Sequence, residues 1–325
     1  MLTIADIAKK AGVAKSTVSR YLNNGSISED TKKKIEQIMN DTGYSPNAFA
    51  QSLKAKKTNI IGTIVPRLDS YATSRTLIGI DEQLREQNFQ MLVSNTSQNL
   101  EREIDNIYTL AKQKVAGIIL LATQITDEHL EAFTQVEVPV LLVGQQHEKV
   151  YSLIHNDFEA AYHLGKYVLS KGHRKIAYLG VSQQDIAVGI NRKEGFQKAV
   201  SEISCDVQYY EAGFNISSSL EIVPTIIDEF NPSIIVCATD NLAIGAMKAA
   251  YSKGMDVPKD ISVTGFGGYE VTEMMHPGVT TVKFFYKEAG VIAAKKVLRL
   301  IRGDDTERLT LSNFELIERE SVDKK

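Results

Sequence analysis

The sequence predicts an α/β protein with a small all-helical head, a short connecting segment and two doubly wound parallel-sheet lobes. Three observations carry this expectation. The first 45 residues show only the 3.6-residue apolar spacing of helices. From Asn59 onward, apolar runs of five to eight residues alternate with amphipathic helical stretches. The charge also divides there: residues 1–60 hold ten Lys/Arg against five Asp/Glu (+5), whereas the other 265 hold 27 against 35 (-8). A basic head on an acidic body points to a polyanion partner for the head alone.

In the head, Ile4, Ile7, Ala8 and Ala11 recur at i, i+3, i+4 and i+7, giving one apolar stripe, and Thr3 with Asp6 resembles a capping box at its start. Gly12 breaks this helix and Val13 is placed to turn inward. A second helix is expected from Lys15 to Asn23, stopped by "NNG", with Val18, Leu22 and Tyr21 facing the core. The third is expected to begin near Ser28, with Glu29 and Asp30 at its positive end and Gly43 at its C′ position.

The second helix is short, polar and basic, and it follows a glycine-containing turn. That arrangement is helix-turn-helix, whose second helix enters the DNA major groove. Lys15 and Ser16 lie at its leading end, where base contact is expected. Thr17 and Ser19 are short hydroxyls suited to phosphate, and Arg20 reaches guanine or the backbone. Thr3 and Asn23 complete the candidate contacts of the head. A solvated helix in an ordinary helical cap is the alternative, and Ala14 is a poor N-cap.

"SPNAFAQSLKAKKT" reads as a linker with a helical centre of barely two turns, Ala48 to Lys54, too short to be stable alone in water. A helix that needs a partner to form is a natural switch element. Beyond it come "NIIGTIVP", "QMLVSN", "AGIILLA", "VPVLLVG", "KIAYLG", "SIIVCATD" and "ISVTGF". Seven or more such strands over about 260 residues suggest two α/β lobes rather than one sheet.

No catalytic pattern survives inspection. "GFGG" lacks the third glycine of a dinucleotide fingerprint, since Glu270 stands there; no phosphate-loop or HExxH run occurs, and the six histidines are scattered. No catalytic residue, metal site or cofactor is expected. Cys205 and Cys237 form no disulfide framework or zinc pattern. No apolar run approaches the ~20 residues of a membrane span, and the N-terminus shows no signal-like core, so no membrane partner and a cytoplasmic location are expected.

In doubly wound sheets a ligand lies beyond the carboxyl ends of the strands. Those ends offer Arg67, Asp69, Ser70, Gln145, His155, Thr239 and Asp240, a set rich in paired donors and acceptors that suits sugar hydroxyls. Strand-end Asp and Thr also serve as plain helix caps, and Arg67 has Asp69 nearby as an ion-pair partner.

"TIADIAKKAGVAKSTVSRYLN", "TGYSPNAFAQSLKAKKTNIIG", "GHRKIAYLG", "NRKEGF", "ATDNLAIGA" and "HPGVTTV" occur in this order and together resemble the lactose/galactose repressor (LacI/GalR) family along the whole chain. The resemblance implies a dimeric, DNA-binding transcriptional repressor with core lobes of periplasmic-binding-protein type. It matches Lys15, Ser16 and Arg20 to base-reading positions. It also implies paired hinge helices in the minor groove, Ala50, Leu53 and Lys54 being candidate contacts and Leu53 the wedge, although Leu53 could instead pack on the core. Gln51 stands where an Arg is common. Arg192 and Thr239 match effector-reading positions, and His155 and Tyr286 fall on aromatic ones. Gly267 replaces a common Asp, and Gln145–Gln146 depart from the usual pattern.

"VPRLDS" and "YKEAG" resemble the trehalose-operon repressors of that family, in which the Arg matching Arg67 helps hold a sugar phosphate, and the whole chain resembles its disaccharide-utilisation branch, sucrose-operon repressors included. The expected partners are therefore double-stranded operator DNA, a disaccharide or sugar-phosphate effector, and a second copy of the chain. "SNFELIERESVDKK" is too short for a tetramerising heptad helix. The expected domains are 1–45 for the helix-turn-helix head, 46–58 for the hinge and linker, and 59–325 for the core. Its lobes run approximately over 59–157 with 287–315 and over 158–286 with 316–325. The alternatives are a catabolite-control-type regulator with a phosphoprotein corepressor, a sugar-binding protein and a sugar-modifying enzyme.

Overall fold

The computed structural model describes residues 2–22, 25–44 and 58–325. It divides into two compact units, Met1–Thr58 and Asn59–Lys325. The expectations for Asn23 and for the hinge residues Ala50, Leu53 and Lys54 lie outside the described residues.

In the head, α1 (Ile4–Ala11) starts with a capping box: Thr3 Oγ1 accepts from the amide of Asp6, and Asp6 Oδ2 accepts from the amide of Thr3 at 2.8 Å. Gly12 ends the helix in the left-handed region at φ 65°, where any Cβ would be strained. α2 (Lys15–Leu22) buries only Val18, and α3 (Glu29–Thr42) buries Ile35. These meet Ile7, Ala8 and Ala11 in one small core, with Val13, Tyr21 and Leu22 packed on it. The polar face of α2 therefore remains outside.

The larger unit contains two six-stranded sheets. The first is built from β1 (Ile60–Val65), β2 (Gln90–Asn95), β3 (Gly117–Leu121), β4 (Val140–Val143), β5 (Tyr151–His155) and β11 (Leu309–Ser312), in the order β2-β1-β3-β4-β5-β11, every neighbour parallel. The second is built from β6 (Lys175–Gly180), β7 (Asp206–Glu211), β8 (Ile234–Cys237), β9 (Ser262–Gly267), β10 (Thr280–Phe284) and β12 (Phe314–Ile317), in the order β7-β6-β8-β9-β10-β12. Only β12 runs antiparallel, against β10. The central strands β3, β4, β8 and β9 are buried throughout, as continuous apolar runs require when both faces are covered.

Helices fill both faces: α4 (Tyr71–Glu86), α5 (Leu100–Lys112), α6 (Asp127–Gln135), α7 (Asp157–Ser170), α8 (Arg192–Ser201), α9 (Ile216–Phe230), α10 (Asp240–Ser252), the short α11 (Glu270–Met274) and α12 (Tyr286–Arg302). A π-helical turn, Ile186–Asn191, runs directly into α8. α4 and α12 approach so closely that a Cβ on Gly290 would sit 2.1 Å from the Thr76 carbonyl oxygen. The chain passes between the lobes three times, after β5, after β10 and after β11. In both sheets the strand order reverses beside the first strand, so each lobe presents a crevice at the carboxyl ends of its strands.

Candidate nucleic-acid interface and inter-lobe cleft

On α2, Lys15, Ser16 and Arg20 are exposed, while Thr17 and Ser19 are half-buried. Ser16 and Arg20 stand four residues apart on one helical face, away from buried Val18. Gly25 closes over the stem of Arg20, its amide donating to the Arg20 carbonyl at 2.8 Å. Thr3 has a different local task. Its hydroxyl donates to Asp6 Oδ2 at 2.7 Å, so it is engaged in capping α1.

In the body, the carboxyl ends of both sheets enclose a cleft with two chambers. The inner one, about 150 Å³, is lined by residues that include Arg67, Ser70, Gln145, His155, Arg192, Thr239 and Tyr286. The outer one is about 450 Å³ and shares Gln98, Thr123, Asp185 and Phe214 with the first.

Arg192 organises the inner chamber. It is buried, Nε donates to Asp157 Oδ1 and Nη1 to the Ala238 carbonyl, both at 2.7 Å. Its guanidinium lies over Phe266 at 5.2 Å and Phe284 at 4.9 Å, which fixes its plane. Among the described residues Nη2 has no protein acceptor, and the side chain borders the cavity. Burial opposes its charge, but Asp157 and the surrounding phenols outweigh that and raise its pKa. Burial pushes the Asp157 carboxyl up, against the downward pull of Arg192.

His155 borders the same chamber with its ring edge-on to Tyr286 at 5.0 Å. Burial, reinforced by the charge of Arg192, lowers its pKa to about 3, so the imidazole is neutral. Its Nδ1 is sealed from solvent with no protein partner among the described residues. A neutral imidazole beside a fixed guanidinium offers both acceptor and donor.

Residues 3–47 match the family model "Bacterial regulatory proteins, lacI family", and residues 166–322 match "Periplasmic binding protein-like domain". Over 322 residues the chain is 38% identical to the "Sucrose operon repressor" of Staphylococcus xylosus, covering 97% of this chain and 98% of the relative. This chain belongs to the LacI family of bacterial regulatory proteins. It is 27% identical to "Catabolite control protein A" of Priestia megaterium over 90% of this chain and 91% of that one. Among solved structures, a lac repressor dimer bound to operator and the anti-inducer ONPF matches with a TM-score of 0.91 at 25% identity, covering 98% of both chains.

The chain is thus a DNA-binding transcriptional repressor, not an enzyme, with a helix-turn-helix head and two lobes of periplasmic-binding-protein type. No helix among the described residues is long and apolar enough to cross a membrane.

Of the cleft residues expected from sequence, this LacI-family repressor brings seven together: Arg67, Ser70, Gln145, His155, Arg192, Thr239 and Tyr286. Two of them also cap helices, since Ser70 Oγ accepts from Thr73 N and Thr239 Oγ1 from Leu242 N. Two others stand apart. Asp69 is 82% exposed and only loosely paired with Arg67, at 3.9 Å. Asp240 is fully buried outside the cavity lining, where its carboxylate accepts from Tyr269 N at 2.7 Å and Thr281 Oγ1 at 2.6 Å. Both oxygens of Asp240 are thus engaged, latching the turn after β9. Arg67 finds a further partner across the cleft, the Phe214 ring at 4.6 Å.

Asp157, Asp185, Phe214 and Tyr269 are among the lining residues that escaped the sequence reading. "IHND" already contained Asp157, directly after a strand end, and that was the available signal. Tyr269 explains how glycine is accommodated at 267: a Cβ there would lie 2.3 Å from the Tyr269 ring, which fills that space and stacks on Tyr71 at 4.2 Å.

Proposed function

We propose that this repressor binds a near-palindromic operator as a homodimer and is released when a disaccharide or sugar phosphate enters the inter-lobe cleft. In this reading residues 1–45 dock on DNA, Lys15, Ser16 and Arg20 reaching base edges and Thr17 and Ser19 phosphates. Residues 46–58 act as the hinge, with Ala50, Leu53 and Lys54 in the minor groove. The protein works in the cytoplasm, where its operator is.

The observation that carries the effector reading is the inner chamber itself. A planar, fully oriented Arg192 stands beside a neutral His155 with an unpartnered nitrogen, among aromatic walls. Sugars need such a mix of fixed donors, acceptors and apolar ring faces. Arg67 at the rim suits a phosphate as well as a hydroxyl. The Staphylococcus xylosus relative is named for a sucrose operon, which supports a disaccharide.

Fluorescence anisotropy of a labelled operator duplex, titrated with the full chain, tests this directly. Sucrose, trehalose or their 6-phosphates are expected to weaken binding. Operator affinity indifferent to every one of them overturns the effector reading and leaves the DNA-binding assignment intact.

A further inference from the structure

The second helix of the head, α2, is held on the core by one fully buried side chain, Val18, with Tyr21 and Leu22 partly buried beside it. It packs chiefly on α1. A helix hung on one buried point can roll about it, and apolar packing against a single neighbour resists that roll weakly. The stem of Arg20 lies against Gly25, where a Cβ would sit 2.4 Å from Arg20 Cγ, and the Gly25 amide ties down the Arg20 carbonyl. What is left to decide where the guanidinium points is the roll of the helix itself.

The side chain next to Arg20 meets α3. Tyr21 Oη donates to Glu36 Oε1 at 3.0 Å, half-buried, and Glu36 follows Ile35, the fully buried anchor of α3. Burial, and then the Glu36 carboxylate, push the Tyr21 phenol up, which keeps it a proton donor at neutral pH. A hydrogen bond to a carboxylate is strong and directional, so it opposes rotation where apolar contacts merely slide. We propose that Tyr21 and Glu36 are positioning residues, which lock the roll of α2 so that Ser16 and Arg20 meet base edges in register. The inference rests on the base-reading role given to those two side chains above. Base-edge bonds need donor and acceptor aligned within about 2.7–3.2 Å, whereas phosphate contacts carry no sequence information and tolerate a looser fit. Loosening the brace therefore costs discrimination between sequences more than affinity for DNA at large.

Fluorescence anisotropy with the full chain tests this on two duplexes: a palindrome that the unaltered protein selects from a random library, and the same duplex with one base pair changed in each half-site. The readout is the ratio of the two affinities. Tyr21→Phe keeps the ring and its packing but loses the hydroxyl. It should shrink the ratio about three- to ten-fold while affinity for the changed duplex stays within about two-fold. Glu36→Ala should shrink the ratio equally. Loss of the carboxylate charge strengthens both duplexes alike, so it leaves the ratio untouched. Glu36→Gln removes the same charge but keeps an acceptor for the phenol, and should hold the ratio within about two-fold of the parent. Tyr21→Phe combined with Glu36→Ala should do no more than either alone.

An unchanged ratio in Tyr21→Phe overturns the brace. Equal weakening on both duplexes, the result of a damaged head or of a phenol bound to phosphate, overturns it as well. A ratio that collapses in Glu36→Gln as it does in Glu36→Ala ascribes the effect to charge and refutes the bond, and losses that add in the double variant refute the coupling. Arg20→Ala and Ser16→Ala separate this inference from the reading beneath it. If both leave the ratio intact, base reading by these residues fails and the brace falls with it. A ratio that shrinks in Arg20→Ala but not in Tyr21→Phe sinks the brace alone.

Discussion

Replacing Arg192 by Met tests the physical basis of the cleft. The substitution keeps much of the apolar stem between Phe266 and Phe284 but removes the guanidinium, leaving Asp157 buried without its cation and the Ala238 carbonyl without its donor. Breaking one side of a buried ion pair costs about 3–5 kcal/mol, since the remaining charge is stranded. For a body of this size that corresponds to a fall of roughly 6–15 °C in the melting temperature of the larger unit.

The deficit should also depend on pH. Burial already raises the Asp157 carboxyl in the intact pair, and without Arg192 nothing opposes that rise. Above the unfolded carboxylate pKa, the folded variant then holds a proton that the unfolded chain has released. Its stability falls as pH rises. Thermal unfolding of the variant and the parent, followed from pH 5 to pH 8, should show a smaller gap at pH 5. The double variant Asp157→Asn with Arg192→Met removes the stranded charge and should recover a substantial part of the loss. A deficit that does not change with pH, or a double variant as unstable as the single one, refutes the reasoning.

Three other perturbations are as specific. Burial pushes Asp240 up to about 6, outweighing its bonds from Thr281 and Tyr269. Its contribution to stability is full below about pH 4 and falls by roughly 3 kcal/mol as pH rises through about 6. Asp240→Asn should flatten that slope in urea titrations at pH 4.5 and 7, and parallel slopes would exclude Asp240 as its source. His155, with its pKa lowered to about 3, should show no imidazole titration by NMR between pH 5 and 8. A resonance that titrates in that range would mean that the ring is not desolvated. Arg20→Ala should weaken operator binding by about 5- to 150-fold, the worth of ~1–3 kcal/mol for one base contact, with sugar binding unchanged. Full operator affinity in this variant removes Arg20 from the interface.

The head was legible because its signals are local. The Thr3–Asp6 box, the Gly12 and Gly43 stops and the Ile7–Ala8–Ala11 stripe each act within one helix, and each appears in the structure. The fully buried strands were legible for a similar reason, since a strand covered on both faces must be apolar throughout. β7, β11 and β12 were not, because edge and near-terminal strands such as "DVQYYE" expose alternate residues and carry no continuous run. β10 was hidden by Thr280 and Thr281, whose hydroxyls are satisfied by Arg319 O and Asp240 Oδ1 inside the fold. The cleft was half legible. Strand ends announce candidates, but only topology brings Phe214 over Arg67 or lays Tyr269 against Tyr71.

Those last contacts bear on switching. Tyr71 stacks on Tyr269, Arg67 lies over Phe214, and Arg75 pairs with Glu270, each joining the first lobe to the second. The stack is worth about 0.5–1.5 kcal/mol, the cation–π contact about 0.5–2, and the half-exposed ion pair no more than about 1. Their sum, roughly 1–4.5 kcal/mol, falls short of the ~5.5 kcal/mol that carries a two-state equilibrium from 1:99 to 99:1. These three contacts bias the arrangement of the lobes, and the amide of Ile186, which donates to the Thr123 carbonyl at 3.2 Å, adds a fourth link between them. The remaining difference has to come from contacts the ligand makes in one arrangement and not in the other, and the side chains best placed for that are those fixed before it arrives, Arg192 first among them.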